Sequence, residues 1–219
     1  MNNKLTLIAD PLCGWCFGAD PLLTASRTIP GLDIELHCGG LFSGDNRRPL
    51  EASMRQFILG HHERIEQLTG QEVGAGFMRL LDSGQAMLDS TPPIRGILAA
   101  ASLGAEPLDY YQALIKAHFI DGRAVTQTET LQSLAAECGV DESAFNQTFN
   151  ALDESRVNAH IFSTRRLMQQ HGAQGFPTFI LQSAGHSEMI NHYAYYNNPT
   201  AWKQALSERI QDNPEQSVL

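Results

Sequence analysis

Residues 4–38, KLTLIADPLCGWCFGADPLLTASRTIPGLDIELHC, decide the fold. Residues 4–9 form a short apolar run with β character, which predicts a buried strand. Asp10-Pro11 ends it, and the pair Cys13-Gly14-Trp15-Cys16 follows at once. Residues 16–27 then read as a helix, and Pro30-Gly31 as a turn. Beyond the turn Leu32, Ile34, Leu36 and Cys38 alternate with Asp33, Glu35 and His37, the pattern of a half-buried strand. Strand, C-x-x-C, helix and strand make a βαβ unit, whose strands run parallel through a right-handed crossover.

Gly39-Gly40 opens a loop that runs to Pro49. Residues 51–172 read as almost wholly helical. Met54, Phe57, Ile58, His61, Ile65 and Leu68 mark the inner face of the first helix, which stops at Gly70. A short helix is expected over residues 76–81, and Ser90-Thr91-Pro92-Pro93 opens another. Leu108, Tyr111, Leu114, Ile115 and Phe119 form a further stripe, and Leu131, Leu134, Ala135 and Cys138 the next. Asp141 caps a helix carrying Phe145, Phe149 and Leu152. Val157, Ile161, Thr164 and Met168 line a last long one that stops at Gly172. Strand character returns at residues 177–181 and 188–193. A terminal helix starts at Pro199 with Trp202, Leu206 and Ile210 on one face, and the tail from residue 211 is expected to fray. The layout is a small α/β fold interrupted by a block of helices. Neither half could complete the sheet alone, so residues 1–45 and 173–219 form one discontinuous domain and residues 46–172 a helical insertion with its connecting helix.

The chain has 219 residues, with 15 Lys plus Arg against 24 Asp plus Glu and a net charge of −9. Nucleic acid and anionic lipid surfaces both call for a basic patch, so neither is an expected partner. No window approaches 18 apolar residues, so no membrane span is expected. The opening MNNKLTLIAD lacks a basic segment followed by an apolar core, so no signal peptide is expected and the cytoplasm is the expected compartment. There are four cysteines, too few for a disulfide scaffold at this length. A chain this long buries roughly 70% of its unfolded surface and needs no such staple.

Cys13 and Cys16 are therefore free for chemistry. At this spacing, where a strand runs into a helix, two thiols can close a small disulfide ring, and the helix start stabilises a thiolate. Cys13 is expected to be exposed and to act as the nucleophile. Cys16, a turn further on and more buried, is expected to resolve the mixed disulfide. The competing reading is half of a zinc site, but Cys38 and Cys138 form no second pair and His61-His62 point to two helix faces, so no metal is expected. Cys38 and Cys138 read as packing groups on apolar faces, and His61 as a core-face histidine. Trp15, expected to be exposed, reads as a substrate contact. At the other end Gly175-Phe176-Pro177-Thr178-Phe179 puts a proline at a strand start, where it can hold a cis peptide and expose the Phe176 main chain to an extended substrate. Asp10 either takes part in proton transfer from Cys16 or caps the turn or helix start, and capping is favoured.

The order strand, C-x-x-C, helix, strand, helical insertion, G-F-P-T-F, two strands and helix resembles the thioredoxin-fold family of DsbA type. Asp10-Pro11-Leu12-Cys13-Gly14-Trp15-Cys16 is similar to the D-P-x-C-x-W-C opening of its FrnE-like branch, and Gly39-Gly40-Leu41, Ser90-Thr91-Pro92, Arg95 and Asp121-Gly122-Arg123 are similar to it as well. The resemblance implies a thioredoxin-like fold with a large helical insertion over the site. It also implies thiol–disulfide exchange with protein or small thiol substrates. Cys13 and Cys16 would be catalytic, with Pro177 in cis beside them and Phe176 pairing with substrate. It implies no cofactor beyond the redox-active disulfide, with glutathione as a candidate co-substrate. The alternative is a glutathione- or small-molecule-dependent isomerase or transferase on the same fold. The related isomerase and kappa-class glutathione transferase branch generally lacks the C-x-x-C, and retention of both thiols argues against that activity.

Overall fold

In the computed structural model, which describes residues 3–84 and 86–211, the apolar run becomes the inner strand β1 (Asn3–Ala9). Leu5, Leu7 and Ala9 face one helical layer, while Ile8 turns to the other side of the sheet and packs with Met168 and Ile180. Burial on both faces is why this strand reads as continuous rather than alternating apolar sequence. Residues 16–27 divide into α1 (Gly14–Gly18) and α2 (Asp20–Ser26). The break is explained by Pro21, which has no N–H to continue a helix but suits the first turn of a new one. β2 (Leu32–Cys38) runs parallel to β1, with Leu5 opposite Ile34 and Ala9 opposite Cys38.

The chain then forms a short ribbon of β3 (Arg48–Pro49) and, later, β4 (Met87–Leu88), within a stretch expected to hold only loop and helix. Two residues a side are too few to leave a periodic signal. Between and after these lie α3 (Ala52–Thr69), α4 (Ala75–Ser83), α5 (Thr91–Ser102) and α6 (Pro107–Lys116). A π-helical turn over Ala117–Asp121 leads on to α7 (Thr128–Glu137), α8 (Glu142–Ala151) and α9 (Glu154–Gln170). The Asp141 carboxylate accepts from the Ala144 N–H, as expected of its cap.

The sheet is completed by β5 (Thr178–Ser183), antiparallel to β1, and β6 (His186–Ile190), antiparallel to β5. The strand order is β2-β1-β5-β6. α10 (Pro199–Gln211) closes the layer of α2: the buried Trp202 indole donates to Ser26 Oγ at 2.7 Å. Residues 212–219, the greater part of the tail expected to fray, lie outside the described residues. No described helix is long and apolar enough to cross a membrane.

α3 departs from its expected inner face. His62, Ile65 and Thr69 are buried, while His61 is exposed and Phe57 and Leu68 are 60% and 45% exposed. The cause lies in α1. A Cβ on Gly14 would sit 3.0 Å from both His62 Cε1 and Ile65 Cδ1, and one on Gly18 2.8 Å from Ile65 Cγ2. Two glycines four residues apart let α3 settle directly on α1, and that approach selects His62 rather than His61.

Candidate active site

Cys13 is the N-cap of α1, and its carbonyl accepts the N–H groups of Cys16 and Phe17 at 3.0 and 3.1 Å. Both cysteines are free thiols. Cys13 is 5% exposed, against the expectation of an exposed nucleophile, because it packs into the main core cluster with its thiol against the Phe176 carbonyl. It lines a partly open cavity instead, and Cys16 does not. Burial pushes the Cys16 thiol well above its ordinary range, the neighbouring Cys13 adds to the effect, and the Asp10 charge adds a smaller part.

The segment 175–179 lies beside this pair. The Phe176–Pro177 peptide is cis, Pro177 is buried, and the Cys13 thiol donates to the Phe176 carbonyl at 3.7 Å. The Phe176 ring fills the place where a side chain on Gly39 would be: a Cβ there would lie 2.1 Å from its Cε1. Trp15 is half-buried rather than exposed, with its ring stacked on Tyr196 at a centroid distance of 6.1 Å.

Asp10 is fully buried directly before the motif. Its Oδ1 accepts from the Leu12 N–H at 2.9 Å and from the Ser90 hydroxyl at 2.8 Å, and its Oδ2 from the Leu41 N–H at 2.7 Å. It caps the turn, as favoured, but not α1 itself, whose cap makes no side-chain bond. Ser90 Oγ also accepts from the Phe42 N–H, so the insertion is tied to the turn through this one carboxylate. Burial raises the Asp10 carboxyl, opposed by its three hydrogen bonds and by the charge of Arg165.

The cavity has a volume of about 640 Å³. α3, α4 and the π-helical turn supply much of its wall, including Ile58, Leu80 and Phe119. Two histidines enter the wall, His62 from α3 and His118 from the π-helical turn, both beside Phe77 and Phe119 with centroids 4.6–5.4 Å apart. They are 7% and 6% exposed, and the Nδ1 of each has no hydrogen-bond partner. Desolvation lowers His62 to about 4 and His118 to about 3, so both are neutral at pH 7. Neither stands out by composition; the Gly14-x-x-x-Gly18 spacing, which allows a close helix approach, is a signal that could have led to His62.

Arg165 of α9 also reaches the cavity. Its Nε and an Nη donate to the Gly39 and Gly40 carbonyls, each at 2.8 Å. An arginine bound to main-chain carbonyls leaves no sequence pattern, which is why reading the chain passed over it. Cys38 is buried, its N–H donating to His160 Nε2 at 3.1 Å, and burial raises its thiol well above the ordinary range. Cys138 is half-buried. Among the described residues no three His, Cys, Asp or Glu side chains cluster as a metal site.

The arrangement places one thiol on a cavity and seals a second behind it. A model of the DSBA-like thioredoxin domain matches residues 4–192. The chain is similar to the structure of the cytosolic disulfide reductase DsbM from Pseudomonas aeruginosa, at 35% identity and a TM-score of 0.87, covering 95% of this chain and 98% of that one. The structure of DsbM with GSH gives 35% identity and a TM-score of 0.86, over 95% of this chain and 99% of that one. DsbA from Pseudomonas aeruginosa shares the fold at 16% identity, with a TM-score of 0.54 over 98% and 86% of the two chains. The comparison with curated proteins gave no significant match.

Proposed function

The chain belongs to the DSBA-like thioredoxin-domain family, and on that premise we propose that it works as a disulfide reductase in the cytoplasm, with glutathione as co-substrate. It is a thiol–disulfide oxidoreductase with a C-x-x-C pair. The observation that carries the finer reading is the contrast between the two thiols: Cys13 opens on the cavity, and Cys16 is sealed off and held protonated. The Cys13 thiolate attacks one sulfur of a bound disulfide, the substrate S–S bond breaks, and the first substrate thiol leaves with a proton. Cys16 then gives up its proton and attacks the Cys13 sulfur, releasing the second thiol and leaving a Cys13–Cys16 disulfide. Two molecules of glutathione return the protein to the dithiol and become one molecule of glutathione disulfide.

Phe176 and Pro177 are the assigned substrate-aligning residues, supported by the Cys13 contact to the Phe176 carbonyl. Trp15 flanks the entering group. Asp10 holds the turn first; its charge also raises Cys16, which makes it the candidate acceptor of the Cys16 proton. Similarity to DsbM, a cytosolic disulfide reductase solved with GSH, supports direction, compartment and co-substrate. The test is the reduction potential equilibrated against glutathione. A value of roughly −200 to −270 mV, the span of glutaredoxins and thioredoxin, is expected, and one near about −120 mV would mark an oxidant instead. The cavity beside Cys13 favours a second reading, a glutathione- or small-molecule-dependent isomerase or transferase. Activity on a substrate without a disulfide, retained when Cys13 and Cys16 are both replaced by Ser, would establish it.

A further inference from the structure

The cavity beside Cys13 carries charge of one sign. The chain has a net charge of −9, yet no Asp or Glu lines the cavity, while Arg48 and Arg165 do. Arg165 is the better placed of the two. Its guanidinium is fixed by two uncharged carbonyls, those of Gly39 and Gly40, and no carboxylate among the described residues forms an ion pair with it. It is therefore pre-set in direction; its charge acts at a distance on the buried Asp10 carboxyl but is not taken up by an ion pair, and an arginine so held loses little freedom when it binds an anion. Gly39 also carries the Phe176 ring, and the Phe176 carbonyl meets the Cys13 thiol, so this charge belongs to the same wall as the reacting sulfur.

The insertion side is different. Met54, Phe57, Ile58, Leu80 and Met87 line it, and Phe57 and Met87 remain 60% and 49% exposed. The neutral rings of His62 and His118 stand in the wall of this apolar chamber, each with its Nδ1 buried. Uncharged rings there add no charge to the chamber, which therefore suits an apolar or aromatic group. A volume of about 640 Å³ is that of a small-molecule site, and a thiol 5% exposed inside it is poorly placed for a folded protein's disulfide.

We propose that the substrate is a low-molecular-weight disulfide bearing a carboxylate and a bulky apolar or aromatic group, with the carboxylate on Arg165 and the apolar group in the insertion chamber. This rests on the reductase reading above and uses the same exchange. The Cys13 thiolate forms a mixed disulfide with one half, the other half leaves as a thiol, and Cys16 releases the first, so that the substrate gains the two electrons the dithiol loses.

Single turnovers of the pre-reduced full chain test it without any recycling thiol. Four probes are used, each rate divided by that of the same probe with a free small thiol. They are dithiobis-nitrobenzoate (aromatic, anionic), dithiodipyridine (aromatic, neutral), dithiodiglycolate (aliphatic, anionic) and oxidised insulin. Dithiobis-nitrobenzoate is expected to lead each of the others by about tenfold or more, with its lead over dithiodipyridine shrinking as salt rises. In Arg165→Met that lead falls about tenfold, and Arg165→Lys restores most of it. Equal normalised rates for the anionic and neutral aromatic probes overturn the proposal, as does a lead for insulin or for dithiodiglycolate. Should Arg165→Met fail to fold, the wild-type probe series and its salt dependence decide. If no probe oxidises the reduced chain, the reductase reading itself fails, which is a separate outcome.

Discussion

Lowering the pH from 7 to 5 should loosen this protein more than its fold class requires, and the structure gives the size. His62, His118 and His192 are buried and lowered by desolvation from 6.5 to about 4, about 3 and about 4. Above pH 6.5 neither the folded nor the unfolded chain protonates them, so their burial carries no protonation penalty. As pH falls below 6.5 the unfolded chain takes up protons that the folded chain refuses, and stability drops by up to about 1.4 kcal/mol per pH unit for each histidine. At pH 5 that is about 2 kcal/mol each, or about 6 kcal/mol for three. Asp10 and Asp20 work the other way: burial raises both, so the folded chain protonates them first and regains part of the loss. A net loss smaller than the histidines' own ~6 kcal/mol remains, set against the roughly 5–15 kcal/mol typical of a folded domain. Urea unfolding followed by tryptophan fluorescence at pH 7.5, 6.5, 5.5 and 5.0 measures it. Stability should fall steepest below pH 6, with an uptake of two to three protons on unfolding. In His118→Phe the uptake should shrink by about one proton. Stability that is flat or rising between pH 7 and 5 would refute the reasoning.

Other perturbations probe the packing around the cysteines. Gly18→Ala puts a methyl group 2.8 Å from Ile65 Cγ2 and 3.1 Å from Thr69 Cγ2. A loss of about 1–3 kcal/mol in denaturant unfolding is expected, since overpacking costs that much where neighbours must shift. Gly39→Ala should expel the Phe176 ring and move the carbonyl from Cys13. Disulfide exchange should slow by about tenfold while far-ultraviolet circular dichroism is unchanged. Ser90→Ala leaves Asp10 Oδ1 with one donor fewer inside the protein, and thermal unfolding should report a loss of about 1–3 kcal/mol, recovered in part by Ser90→Thr.

The parts of the fold that depend on local order were legible in the sequence. The βαβ start, the C-x-x-C at a strand–helix junction and the Asp141 cap each rest on residues close together in the chain, whereas the place of Pro177 beside the cysteines follows from the family resemblance. What escaped depends on contacts between distant segments. The apolar stripe of α3 reads as a core face through Phe57, His61 and Leu68, but part of that stripe borders a cavity, and the fit against Gly14 and Gly18 turns His62 inward instead. Cys13 follows its motif in position but not in exposure, because the groups that cover it come from distant segments that a tetrapeptide does not reveal; the thiol's own partner, Phe176, is 163 residues distant. Arg165 and Ser90 act through main-chain groups and a buried carboxylate, pairings that composition does not reveal.

The division of labour between the two thiols is most directly tested by trapping. Reduced Cys16→Ser and Cys13→Ser proteins are each mixed with an excess of glutathione disulfide, and the adducts are mapped by mass spectrometry of peptides. The account predicts a stable mixed disulfide on Cys13 in Cys16→Ser, and little or no modification of Cys16 in Cys13→Ser, because Cys16 lies off the cavity with its thiol held protonated. An adduct forming as fast on Cys16 in Cys13→Ser as on Cys13 in Cys16→Ser would contradict it.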